Sequence, residues 1–297
     1  MRSAELEGII EVLFSQRDAE TAEQRSIEAR RRRLDGLADI FPLPDDVVHE
    51  PVEMGGVPGV RLEPPGARDG ASLLYLHGGG YGGGSSRSHS ELAARLARAA
   101  GMVAYLPDYR LAPESPFPAA LDDALAAYRW LLAERGGDAA SIVLAGDSAG
   151  GGLALATCVA LRDGGEPLPR RLALLSPWVD LSCTSPSWDE RFEGDPVLDH
   201  SLRDAARRYL GDHDPRDPFA SPLFADLSRL PPMLIQVGTH EILFDDAVSL
   251  ADAAERAGSE VMLEIGGGLV HVWQIFPITP EAIAATTRIG LHLAPTG

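Results

Sequence analysis

Ser148 stands inside a G-x-S-x-G pattern, in the run GDSAGGG, directly after the apolar stretch SIVLAG. A serine hydroxyl is a weak nucleophile at neutral pH, so one that attacks a carbonyl must sit exposed on a tight turn where a base can take its proton. Gly146 and Gly150 flank Ser148 where a side chain would crowd a sharp strand-to-helix turn, and ALATCVALRD continues as a helix. Upstream, the apolar SLLYL ends in His77, Gly78, Gly79 and Gly80. Glycines let successive N–H groups point into one cavity, as stabilising the oxyanion of an acyl-transfer transition state requires. By analogy with such sites the donors are the N–H groups of Gly79, Gly80 and Ala149, with His77, Gly78, Gly146 and Gly150 supporting the two turns. Gly78 to Gly83 also satisfies a bare G-x-G-x-x-G string, but no P-loop lysine follows it and the dinucleotide-binding context is missing.

The acid and the base are expected downstream, in the order serine, acid, histidine. His49, His77 and His89 precede Ser148, His200 and His213 lie in a charged, proline-bearing stretch, His240 comes one element too early, and His292 lies in a terminal helical segment. His271 remains, after the strand-like EVMLEI and what reads as a glycine-rich turn, GGGL. The acid should leave the strand MLIQVG, which is followed by Glu241, Asp245 and Asp246. Glu241 is nearest the strand terminus, where the catalytic groups of open α/β sheets gather. Asp245 and Asp246 suit the first turn of a helix, with Asp245 the alternative acid. Tyr81, Trp273 and Phe276 neighbour these positions and are candidates to line the substrate pocket, although aromatics at strand ends more often belong to the core.

The positioning elements alternate along the chain. Strand-like RLEP, SLLYLH, MVAYLP, SIVLAG, RLALLS, MLIQVG and EVMLEI are separated by helical ELAARLARAA, LDDALAAYRWLLAER, GLALATCVALRD and AVSLADAAERAG. This pattern predicts a mainly parallel sheet with helices on both faces. Residues 1–45 form a helix-compatible segment, with Arg30 to Arg33 read as a solvated helix face, and residues 46–297 form the catalytic domain. The insertion from about Asp180 to Pro231 is a second cap element near the substrate. The turn DYRLAPE is expected to be braced by an ion pair of Asp108 or Arg110, and Asp147 to tie down the nucleophile turn without joining the triad.

Several motifs in sequence order resemble the bacterial hormone-sensitive lipase family of carboxylesterases. They are HGGGY at His77 to Tyr81, DYRLAPESPFPAALDD at Asp108 to Asp123, GDSAGGGLA at Gly146 to Ala154, LLSPWVDL at Leu174 to Leu181, and LVHVWQIF at Leu269 to Phe276. The resemblance implies an α/β-hydrolase fold with an N-terminal helical cap. It also implies Ser148 as nucleophile, His271 as base, and a homodimer through an edge strand. Glu241 falls where many members carry Asp. Gly82, Gly83 and the run Gly266 to Gly268 are further departures, at loops expected to be rigid.

The expected reaction is hydrolysis of small, short-to-medium acyl carboxylic esters through an acyl-enzyme on Ser148, with no metal and no organic cofactor. An amidase or acyltransferase would use the same residues, and a non-catalytic ligand-binding member of the fold is a third reading that the presence of His271 disfavours. The chain has 297 residues, with 26 Lys and Arg against 44 Asp and Glu, a formal charge of -18 that argues against nucleic acid or an anionic membrane as partner. The start, MRSAELEGII, lacks a signal-peptide pattern, and no stretch reaches the length of a transmembrane span. Cys158 and Cys183 are too few and too far apart for a disulfide framework, so a cytoplasmic location is expected.

Overall fold

The computed structural model describes residues 2–19, 26–68 and 70–294. The helices α1 (Ala4–Ala19), α2 (Ile27–Asp35) and α3 (Leu37–Ile40) come first, followed by the hairpin β1 (Val48–Met54) and β2 (Val57–Glu63). The alternating part then runs β3 (Ser72–Leu76), α4 (Ser86–Ala100), β4 (Val103–Pro107), α5 (Ala119–Glu134), β5 (Ile142–Asp147), α6 (Ala149–Asp163) and β6 (Leu172–Leu175). The insertion carries α7 (Ser187–Glu190) and α8 (Leu202–Leu210), and the chain closes with β7 (Met233–His240), α9 (Phe244–Arg256), β8 (Val261–Val270) and α10 (Pro280–Leu293).

One eight-stranded sheet has the order β1-β2-β4-β3-β5-β6-β7-β8. From β4 to β8 every neighbouring pair is parallel, while β2 runs antiparallel to both β1 and β4. Every residue of β3, β4, β5 and β6 is buried. A parallel strand covered by helices on both faces needs such an unbroken apolar run, which is why these strands were legible in the sequence. Strand β1 was not. Its residues are mostly exposed and it contains Pro51, features of an edge strand that burial does not mark.

One expectation about local structure is corrected and another is made specific. The glycines Gly266 to Gly268 lie within β8, which continues to Val270, and do not form a turn beyond it. Gly238 pairs with Gly266 and His240 with Val270, with an irregularity between, and the N–H of Gly268 donates to Thr239 Oγ1 at 2.8 Å. The ion pair that braces DYRLAPE joins Arg110 to Asp123 of α5 at 2.7 Å, whereas Asp108 accepts from the N–H and hydroxyl of Ser86 at the start of α4.

Candidate active site

The crossovers of a parallel sheet place the carboxyl ends of β3, β5, β6, β7 and β8 on one side, and the sequence-selected residues come from these ends. Ser148 is the single residue between β5 and α6, with φ 53° and ψ -123°. Such a conformation costs a residue with a side chain about 1–3 kcal/mol and persists only where the surroundings enforce it. Here the Ser148 N–H donates to Leu175 O at 2.8 Å, and Ser148 O accepts from the N–H of Trp178 and of Gly152. Gly150 supplies the remaining condition, because a Cβ there would be driven into the carbonyl oxygens of Leu76 and His77.

On the other side of β6, the Nδ1 of His271 lies 2.7 Å from Glu241 Oε2, and both side chains are buried. The second oxygen, Glu241 Oε1, accepts from the Gly238 N–H at 2.6 Å and from Ser176 Oγ at 2.8 Å. Ser176 Oγ in turn accepts from the N–H of Val272 at 3.1 Å, so one hydroxyl ties the acid to the segment that carries His271. Ser176 begins the turn after β6, one residue beyond the carbonyl that holds Ser148. Asp245 is elsewhere, accepting from the Ser187 N–H at 2.8 Å, and Asp246 caps the N–H groups of Val179 and Asp180. Ser148 Oγ and His271 Nε2 make no hydrogen bond among the described residues, and contacts of this kind commonly tighten only in the substrate complex.

The glycine turn after β3 has Gly79 at φ 121° and Gly80 at φ 64°, conformations that a side chain would oppose. Gly79 O is taken by the N–H groups of Gly82 and Gly83 at 3.3 and 3.0 Å. A trans peptide points its C=O and its following N–H in opposite directions, so the Gly80 N–H projects away from that turn. The N–H groups of Gly79, Gly80 and Ala149 donate no hydrogen bond among the described residues. Beneath the turn, Asp147 Oδ1 accepts from Tyr75 OH at 2.7 Å and from the Gly78 N–H at 3.0 Å, and its Oδ2 lies 3.4 Å from His89 Nε2. Asp147 thus ties the nucleophile turn to the glycine turn and has no contact with His271 resembling that of Glu241. His77 Nδ1 bonds Gly78 O at 2.8 Å, and its ring stacks on Tyr109.

The electrostatics distinguish the two buried imidazoles. Burial and the neighbouring His89 press the pKa of His77 down to about 3, so it is neutral across the physiological range. Burial acts the same way on His271, but the charge and hydrogen bond of Glu241 outweigh it, helped by Asp195 and Asp147, and hold its pKa above the ordinary value. Asp195, which sequence reasoning did not single out, is fully buried and pushed up to about 6 by that burial. It accepts from the N–H groups of Val197 and Leu198 and, from the residue after Glu241, the N–H of Ile242, each at 2.9 Å. Ser176 was also missed, although it lies in the quoted LLSPWVDL; a small polar residue ending an apolar strand ahead of proline was its only signal.

Of the aromatic candidates, Tyr81 is buried and stacks on Tyr209 of α8 with ring centroids 3.7 Å apart. Trp273 and Phe276 pack instead into a satellite core with Leu6 and Ile10 of α1, so the core reading fits these two. The insertion approaches the glycine turn through α8. A Cβ on Gly80 would lie 3.2 Å from Leu202 Cδ1 and 3.6 Å from Ala205 Cβ.

Comparison with known proteins agrees with this fold. Residues 73–275 match the model of a family described by its alpha/beta hydrolase fold. An acetyl-hydrolase from Streptomyces hygroscopicus is 49% identical over 231 residues, 77% of each chain. A putative acetyl-hydrolase from Mycobacterium tuberculosis, LipR, is 36% identical over 95% of this chain and 92% of its own. Among solved structures, an esterase from the bacterial hormone-sensitive lipase family superposes with a TM-score of 0.94 at 45% identity, covering 99% of this chain and 98% of the other.

Proposed function

The chain belongs to the alpha/beta hydrolase family, with the esterases of the bacterial hormone-sensitive lipase group, and on that premise we propose that Ser148, His271 and Glu241 carry its hydrolysis of small carboxylic esters. The observation that carries this reading is the buried 2.7 Å contact between Glu241 and His271 Nδ1, across β6 from a serine held at φ 53°. The Glu241 carboxylate fixes the imidazole with a proton on Nδ1, which leaves Nε2 as the basic nitrogen. His271 takes the proton of Ser148 as the hydroxyl oxygen bonds to the ester carbonyl carbon. The N–H groups of Gly79, Gly80 and Ala149 receive the negative oxygen, a contribution of about 3–4 kcal/mol for each well-aimed donor. The imidazolium then protonates the leaving alkoxide as the ester C–O bond breaks. In the second half His271 draws a proton from water as its oxygen attacks the acyl carbon, then returns that proton to Ser148 Oγ as the acyl–oxygen bond breaks and the acid leaves.

Short acyl groups fit the position of α8, whose Leu202 and Ala205 crowd Gly80 and whose Tyr209 is stacked on Tyr81. The insertion then serves as one cap element and the N-terminal helices as the other, over a catalytic domain that begins near residue 46. A homodimer is supported by β8, the last strand of the sheet, on which Met262 and Ile265 are about half exposed; light scattering on the purified protein tests it. A cytoplasmic location is supported by the two free cysteines, and among the described residues no helix is long and apolar enough to cross a membrane. The reaction is tested by hydrolysis of p-nitrophenyl esters across acyl lengths. Wild type is expected to peak at short chains and Ser148→Ala to lose all but background activity; a variant that keeps its rate would overturn the assignment.

A further inference from the structure

The basic run Arg30 to Arg33 was expected to be a solvated face of α2, and Arg31 departs from that expectation. Residues three and four apart share a helix face, so Arg31, Leu34 and Asp35 point the same way, and that face lies on the glycine turn. Arg31 Nε donates to Gly82 O at 2.8 Å, its Nη2 donates to Ala112 O at 3.1 Å, and the guanidinium grips both oxygens of Glu114 at 2.8 and 2.7 Å. Ala112 is itself joined to the turn, since its N–H donates to Tyr81 O at 2.8 Å. Leu34 fills the space a side chain on Gly83 would need, with Cδ1 3.0 Å from the position of a Cβ and Arg31 Cγ 3.7 Å from it. Asp35 Oδ1 accepts from Ser85 Oγ at 2.5 Å, which fixes the far end of the same turn. The absent side chain at Gly83 therefore leaves the space in which α2 rests, while a Cβ on Gly82 would meet only Ala112 O and Gly80 O.

We propose that Arg31 is a positioning residue for ester hydrolysis, locking the turn Gly79–Gly84 from outside so that the N–H groups of Gly79 and Gly80 are held where the oxyanion forms. Gly79 O is bonded to the N–H groups of Gly82 and Gly83, and Arg31 holds Gly82 O at the other end of these bonds. The planar guanidinium makes these contacts in one plane at once, which a lysine ammonium does not reproduce. The inference rests on the reading of Gly79 and Gly80 as oxyanion donors.

The test compares wild type, Arg31→Ala, Arg31→Lys and Gly83→Ala. It measures kcat and KM on p-nitrophenyl acetate, the inhibition constant of a short-chain trifluoromethyl ketone that forms a tetrahedral adduct on serine, and thermal stability. Misplaced donors lower transition-state binding, so Arg31→Ala and Arg31→Lys are expected to lose about tenfold in kcat with KM nearly unchanged, and to weaken ketone inhibition by the same factor. Gly83→Ala, which displaces Leu34 from the opposite side, should show the same pairing and keeps the proposal testable should Arg31→Ala fail to fold. Variants that lose only thermal stability, with kcat and ketone inhibition at wild-type values, would overturn the proposal. A ketone that inhibits wild type no better than its methyl counterpart would overturn the donor assignment first, and the role of Arg31 with it.

Discussion

The two sides of the site are built by different means. The base side, at the ends of β6, β7 and β8, is assembled from side chains far apart in sequence: Ser176, Glu241 and His271 meet through hydrogen bonds of 2.7 and 2.8 Å. The proposed oxyanion side, at the ends of β3 and β5, is almost entirely backbone, shaped by glycines and bonded by Asp147 from below and by Arg31 of α2 from outside. A network of buried side chains is sensitive to the loss of one donor or acceptor, whereas a backbone turn packed against carbonyls is sensitive to the gain of one carbon.

The difference is broken most sharply at Glu241. Replacing it by Gln removes the charge that stabilises the imidazolium, and kcat is expected to fall by about 10³–10⁴-fold while Asp245→Asn stays within about twofold. The same variant sharpens the electrostatic account. His271 must be neutral to accept a proton, so the rate declines as the pH falls through its pKa, which Glu241 holds above the ordinary value against the lowering effect of burial. Without the carboxylate that pKa drops, and the acid limb of the residual kcat/KM profile moves to lower pH. An unmoved limb would mean that another group sets it.

On the oxyanion side the matching experiment is an addition. Gly150→Ala forces a methyl group against Leu76 O and His77 O, and the turn must open. The expected result is a loss of about 10²-fold in kcat/KM together with a lower melting temperature, because the same contact packs the elbow against β3. Full activity in this variant would show that the elbow tolerates more than its packing implies.

The smallest effect belongs to Ser176→Ala. Glu241 keeps the Gly238 N–H, and the Val272 N–H loses its acceptor, so the cost is about 1–3 kcal/mol, divided between stability and about tenfold in kcat. Because Ser176 donates to the acid, its loss should also move the acid limb, which Gly150→Ala should not do. Identical pH profiles for both variants would erase the distinction between the two sides.

Legibility followed the same division. The glycine turn and the nucleophile elbow are contiguous motifs, because a backbone site is made by neighbours in the chain, and their glycines are visible as residue types. His271 and Glu241 were found by order along the chain and by position at strand ends. The glycine run before His271 was misread, since glycine marks a turn in isolation but here belongs to a strand whose neighbour β7 comes very close at Gly238. Ser176 and Asp195 carried almost no signal, as a lone serine after a strand or a lone aspartate in an insertion is common and only its partners give it meaning.

By itself the sequence determined the alternation that makes a mainly parallel sheet, the strands buried on both faces, and the serine on its strand-to-helix turn with the two glycine turns beside it. Those features depend on local periodicity and on residue types within a few positions, where steric limits act directly. Only the tertiary structure decided that Glu241 and not Asp245 meets the imidazole, that Ser176 bridges acid and base segments, that Trp273 and Phe276 pack on α1, and that Arg31 closes over Gly82. Each of these is a contact between residues at least 30 positions apart, selected by how the sheet stacks its crossovers, and no local pattern encodes which distant partner will fill a given space.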